Sequence, residues 1–243
     1  MWAWHGIINQ DKPFVPKPIR DVYWGPAFSD QEIENALTAK RIRYSRPENL
    51  EKVMADLLAQ GELIARFNGA MEFGPRALCH RSILYHPADP SVNHWLNKRL
   101  RRTEFMPFAP VTREDDGPKM YQNFSGAQHP SNFMTITFDC TDEMVKSCPA
   151  VIHVDGTARP QTVRTDTDPS TYKLLTHFHE NTGLSSFINT SFNMHEEPIV
   201  CTSEDAIKTC YSAKIRYLAI GSFLAEFEFP SPPKNNLPPS RCV

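Results

Sequence analysis

Residues 62–87 read ELIARFNGAMEFGPRALCHRSILYHP. The stretch opens on a short apolar segment, 62–67, that reads as a strand. It then sets Arg76 and Arg81, a Gly-Pro turn at 74–75 and the adjacent Cys79 and His80 beside Leu78, Ile83 and Leu84. A plain core strand has no use for two arginines so placed, and a surface loop has no use for the apolar residues. The pattern predicts a turn that holds an anion against a buried framework. Each guanidinium is a planar fork suited to phosphate, and Gly74 lets backbone N–H groups approach a ligand. The competing reading is that both arginines pair with carboxylates such as Glu72.

Helices and strands interleave around this stretch. SDQEIENAL (29–37) carries a capping box, Ser29 with Glu32. SRPENLEKVMADLLAQG (45–61) repeats the logic, with Ser45 as cap, Pro47 in the first turn and Glu48 reaching back. Leu50, Val53, Met54, Leu57 and Leu58 then share a face, and Gly61 is the stop. PSVNHWLNKRL (90–100), PSTYKLLTHFHENTG (169–183) and TSEDAIKTCYSA (202–213) read as helices. FMTITFD (133–139), AVIHVDG (150–156), LSSFINTSFN (184–193) and IRYLAIG (215–221) read as strands. That order predicts an α/β (α+β) open sheet. The packed unit is expected over 29–228, with 1–28 as an extended N-terminal arm and 229–243 as a Pro-rich tail.

The 243 residues are 40% hydrophobic and include 15 Phe, enough for a substantial core. A formal net charge of -2 argues against a nucleic-acid or membrane surface. No apolar run approaches the roughly 20 residues needed to span a bilayer. The start, MWAWHGIINQDKPF, lacks the basic and apolar regions of a signal peptide, so a cytoplasmic location is expected. Cysteines at 79, 140, 148, 201, 210 and 242 form no C-x-x-C and no zinc spacing. Reduced thiols and no metal site are expected.

Three further polar turns stand out. In LRRTEFMPFAP (100–110), Arg101 and Arg102 precede a Pro-bracketed aromatic turn; the alternative is a solvated basic face. In HVDGTARPQTV (153–163), His153, Asp155, Thr157 and Arg159 alternate, so on an extended segment they point the same way. The alternative there is an ordinary turn in which Asp155 bonds its own backbone. In INTSFNMHEEPIV (188–200), Asn189, Thr190, Ser191 and Asn193 follow an apolar strand and can bind phosphate, ribose or an amide-like group. A helix cap or Asx turn is the alternative. Several arginines with few general bases fit the binding and activation of a phosphate compound better than hydrolysis by a catalytic triad. No Walker A motif is present, so any nucleotide site is of another type.

The stretches MEFGPRAL (71–78), HRSIL (80–84), EFMPFAPVTRED (104–115), PAVIHVDGTARPQTV (149–163) and NTSFNMHEEPIVCTSEDAI (189–207) carry a resemblance. Over roughly residues 25–228, a typical domain span, the chain resembles the C-terminal domain of the carbamoyltransferase family that includes nodulation and antibiotic O-carbamoyltransferases. The resemblance implies a YrdC-like twisted open sheet flanked by helices. It implies that ATP, arriving with magnesium, and carbamoyl phosphate are converted to carbamoyl adenylate. A second domain, N-terminal in the family, carries a metal ion and passes the carbamoyl group to an acceptor hydroxyl. Nothing before residue 25 matches that domain, so it is expected as a partner in trans.

Carried onto this sequence, the resemblance gives catalytic roles to Arg159, Arg76 and Ser191. It puts Arg81 beside Arg76 in the anion-binding turn, Arg101 or Arg102 on phosphate, and Asn189 with Ser191 in the adenylate pocket. His153, Asp155, Thr157, Thr190 and Asn193 complete the expected binding set. Two departures stand out: the family's GPRALGNRS has Cys79 and His80 here, and its FRPFAP has Met106. If position 79 needs a positive φ, Cys79 is strained there. The alternative function is a non-catalytic nucleotide- or RNA-binding module of the same fold.

Overall fold

The computed structural model describes residues 17–103 and 106–229. The segments 1–16 and 230–243 of the expected arms, with Cys242, lie outside the described residues, as do Glu104 and Phe105. In chain order the strands are β1 (Arg43–Ser45), β2 (Ile64–Phe67), β3 (Arg81–Tyr85), β4 (Ala109–Arg113), β5 (Phe138–Asp139), β6 (Thr157–Ala158), β7 (Gln161–Val163), β8 (Ser186–Ser191), β9 (Tyr217–Ile220) and β10 (Phe223–Glu226). The α-helices are α1 (Asp30–Ala39), α2 (Leu50–Ala59), α3 (Val92–Arg99), α4 (Gly117–Met120), α5 (Gln128–Ser131), α6 (Asp142–Ser147), α7 (Pro169–Thr182) and α8 (Ser203–Ala213).

An eight-stranded mixed sheet runs in the order β1-β10-β9-β2-β3-β8-β4-β7, and β5 pairs with β6 apart from it. In the large sheet only β2 with β9 and β4 with β7 are parallel. The stretch 62–87 supplies two adjacent central strands, in register from Ile64 with Leu84 to Phe67 with Arg81. Successive residues of a strand point to opposite faces, and here both faces are covered. Ala65, Phe67, Ile83 and Ile188 join Ile33 and Leu37 of α1 and Ile207 and Cys210 of α8. Ile64, Leu84 and Phe187 join Met54 and Leu58 of α2 and Leu174 and Phe178 of α7 on the other side. Each of the Ile, Leu, Phe and Met side chains among them contributes about 1.5–3 kcal/mol by leaving water.

Local signals set several helix ends. Ser29 and Glu32 form the expected capping box of α1. Gly183 ends α7 in the left-handed conformation, φ 73°. Elsewhere long-range pairing overrides the local signal. Ser45 does not cap α2, because it lies in β1 opposite Leu224; Asn49 caps that helix instead, accepting from Lys52 N. The segment 133–139 is mostly coil after α5, and only Phe138 and Asp139 pair, with Ala158 and Thr157. The segment 150–156 is not a strand: Pro149 starts a 3-10 turn, Pro149–Val151, and the chain then turns back at Gly156. The turn expected over 100–110 ends as β4, a central strand.

The segment 17–28 has no helix or strand, yet part of it packs on the domain. Gly25 N donates to Met71 O, Met71 N to Pro26 O, and Phe73 N to Val22 O. Tyr23 stacks on the His80 ring at 3.7 Å between centroids, and its hydroxyl donates to Leu78 O.

Candidate functional site

The antiparallel registers bring the C-terminal end of β8 to the N-terminal ends of β3 and β4, with Ser191 opposite Ser82 and Asn189 opposite Ala109. β7 starts beside β4, Gln161 opposite Val111. The four polar turns identified in the sequence therefore meet at one rim of the sheet.

The loop before β3 is built differently from either sequence reading. Glu72 is buried, and its Oε1 accepts from the backbone N–H groups of Leu78 (2.6 Å), His80 (2.8 Å) and Arg81 (3.0 Å). The carboxylate thus binds three backbone N–H groups of the loop, not a guanidinium. Arg81 is fully buried. Its Nη1 donates to Asn68 O and His80 O, its Nη2 to Pro26 O and Gly69 O, and it lies 3.6 Å over the Phe67 ring. Burial pushes this guanidinium down to about 10, against the pull of Glu72, so it remains a cation at neutral pH. Arg81 therefore ties the loop ends together and offers no free fork to a phosphate. Arg76, on the outer side of the loop beyond Gly74 (φ 125°), is exposed.

Cys79 does take a positive φ, 72°, and is fully buried. Its Sγ donates to Gln161 Oε1 at 3.3 Å, and its N to Ser82 Oγ at 2.9 Å. Burial drives the thiol well above its ordinary pKa, so it stays protonated and can serve as that donor. His80 Nδ1 donates to Ala70 O at 2.7 Å, and Nε2 lies 3.6 Å from Asp168 Oδ2, an ion-pair rather than a hydrogen-bond distance.

In the segment after α3, Arg101 is exposed with φ 59°. Arg102 turns inward. Its Nη1 donates to Thr190 Oγ1 at 3.0 Å and its Nη2 reaches Ser191 Oγ at 3.3 Å. Burial lowers it to about 10. Ser191 Oγ donates in turn to Asn193 Oδ1, and Asn193 Nδ2 to Glu197 O. Asn189 is buried, and its Nδ2 donates to both Ala77 O and Gln161 Oε1. It thereby ties the Arg76 loop to the strand that follows Arg159.

The segment 153–156 is a turn that leads into β6, not part of one extended run, so the alternating side chains do not line up. His153 N donates to Thr157 O, Thr157 N and Oγ1 both donate to Asp155 Oδ1, and Thr157 Oγ1 meets His153 Nδ1. His153, Asp155 and Thr157 thus satisfy one another. Arg159 is left over: its Nε is buried without a partner in the described structure. Burial and the nearby charge of Arg76 both lower its pKa. Among the described residues no carboxylate comes within ion-pair distance of Arg76, Arg102 or Arg159. The same residues contain no group of three His, Cys, Asp or Glu that could hold a metal.

Gln161 and the backbone role of Glu72 escaped the sequence reading. Gln161 stands within HVDGTARPQTV, but an isolated Gln at a strand start carries no local signal. Its partners come from Leu78, Cys79 and Asn189, far away in the chain.

Residues 55–226 match the carbamoyltransferase C-terminus family, and the chain belongs to that family. It is 33% identical over 217 residues to nodulation protein NolO of Bradyrhizobium diazoefficiens, covering 88% of this chain and 39% of that protein. It is 32% identical over 177 residues to the 3'-hydroxymethylcephem-O-carbamoyltransferase of Amycolatopsis lactamdurans, covering 73% and 33%. The chain spans about a third to two-fifths of the length of the curated relatives it matches. Among solved structures, full-length HypF in its phosphate- and nucleotide-bound form overlays 71% of this chain and 21% of its own, with TM-score 0.50 and 16% identity. That likeness shows the fold: the chain has the YrdC-like open sheet flanked by helices. No helix among the described residues is long and apolar enough to cross a membrane.

Proposed function

We propose that this chain performs the adenylating half of an O-carbamoyl transfer. Carbamoyl phosphate loses its phosphate to water, giving carbamate and inorganic phosphate. A carbamate oxygen then attacks the α-phosphorus of ATP, the bond to the β-phosphate oxygen breaks, and pyrophosphate leaves. Carbamoyl adenylate is the product handed on, and transfer to an acceptor hydroxyl is assigned to a partner of the family's N-terminal type. ATP enters as its magnesium complex.

One observation carries this reading: Arg159 and Arg76 come from different turns of one rim, Arg159 Nε is buried without a partner, and no described carboxylate is within ion-pair distance of either. Two cations at one rim without an ion-pair partner favour an anion there. Such a pair would offset the repulsion between two phosphate compounds brought into one site. Arg102, fixed by Thr190 and Ser191, supplies a third cation at the same rim. The name of the cephem relative supports the transferred group.

Replacing Arg159 by Ala is the direct test. Folded Arg159→Ala should lose carbamoyl-phosphate-dependent pyrophosphate release, by about 100-fold or more if it stabilises developing charge. Retained release would refute the assignment. The departures at Cys79 and Met106, with Arg81 withdrawn into the core, favour a second reading, a nucleotide-binding module without turnover. ATP binding without pyrophosphate release under any condition would select it.

A further inference from the structure

We infer that Glu72 is the positioning residue for Arg76, acting through the backbone N–H groups it holds. The inference rests on the reading that Arg76 belongs to an anion site. Glu72 Oε1 closes a ring of chain by accepting from Leu78 N at 2.6 Å, and Arg76 stands inside that ring. The ring has little freedom. Gly74 takes φ 125°, which an L side chain rarely adopts, and Pro75 has a fixed φ. On the far side of Arg76, Ala77 O is held by Asn189 Nδ2 at 2.8 Å. The same Glu72 oxygen takes His80 N and Arg81 N, so the ring is anchored to the first residue of β3.

Glu72 Oε2 has no hydrogen-bond partner in the described structure, and Arg76 makes no ion pair with Glu72. Glu72 therefore reaches Arg76 only through backbone. A carboxylate acting this way fixes the backbone from which Arg76 projects without neutralising its guanidinium. The device separates two demands that a direct ion pair would set against each other: a fixed arginine, and an arginine free to meet a phosphate.

The test is a double-mutant cycle read by calorimetric titration with inorganic phosphate, on protein shown to be folded by its thermal transition. Arg76→Ala and Glu72→Ala should each weaken phosphate binding about tenfold, and the double variant should lose no more than either alone. Glu72→Gln keeps an acceptor oxygen at the same reach, and should bind within about threefold of the parent even if it melts earlier. Should Glu72→Ala fail to fold, Glu72→Asp, which draws the carboxylate back by one methylene, takes its place in the same cycle.

A folded Glu72 variant that binds phosphate like the parent overturns the inference, as do single losses that add in the double variant. A Glu72 loss that persists where Arg76→Ala has no effect also overturns it. A parent chain that binds no phosphate defeats the site reading itself, and the positioning role with it.

Discussion

Arg102 Nη1 donates to Thr190 Oγ1 at 3.0 Å while its Nη2 reaches Ser191 Oγ at 3.3 Å. The two hydroxyls belong to neighbouring residues at the end of β8, and a planar fork meets both at once. Arg102→Lys keeps the charge but not the fork, so it should lose most of the pyrophosphate-releasing activity, about tenfold or more. Arg102→Ala should lose at least as much while shifting stability by only about 1 kcal/mol. Steady-state pyrophosphate release and thermal unfolding on both variants check this. Full activity in the Lys variant would mean that charge alone suffices.

Arg81 gives the opposite expectation. It is fully buried on backbone carbonyls, so Arg81→Met should act on folding first. Removing the cation leaves Glu72 without its nearby positive charge and strips bonds from four carbonyls. A loss of about 3–5 kcal/mol in urea unfolding is expected. A variant of unchanged stability that no longer binds phosphate would return Arg81 to the ligand site.

Cys79 sits at φ 72°, a conformation that favours glycine. Cys79→Gly relieves about 1–2 kcal/mol of left-handed strain but restores backbone entropy to the unfolded chain and empties a packed site. The net change should fall within about 1 kcal/mol. Cys79→Val adds a β-branched side chain in the same conformation and removes the bond to Gln161, so it should cost more than about 2 kcal/mol. Urea unfolding of the pair reports the order, and a Val variant as stable as the Gly one would contradict it.

How far these features could be read in advance depends on how local their causes are. The capping box of Ser29 and Glu32 and the Gly183 stop lie within a few residues of what they control, and the structure keeps both. Ser45 carries an equally good cap signal, but β10 claims it from the far end of the chain. At the site, the four turns and most of their residues were legible as polar interruptions of apolar strands. The division of labour among the arginines was not. Nothing in GPRALCHRS distinguishes an exposed Arg76 from a buried Arg81; the fold does so, by placing Arg81 at the start of a central strand over Phe67.

His86 sets a pH window. Burial lowers its pKa to about 4, and its Nδ1 accepts from Ala88 N, so the folded ring is neutral. The unfolded chain binds the proton more readily, near pH 6.5, so stability falls as pH drops from about 6.5 to about 4 and then levels off for this group. At about 1.4 kcal/mol per pH unit the loss is on the order of 3 kcal/mol. His86→Gln, which cannot titrate, should flatten that limb of the stability curve measured by urea unfolding at several pH values. An unchanged limb would show that another group causes it.

The most direct measurement is pyrophosphate release by this chain given magnesium ATP, with and without carbamoyl phosphate. Release that requires carbamoyl phosphate and is abolished in folded Arg159→Ala is expected. No release from folded chain that binds both compounds, with or without added partner domain, would contradict it.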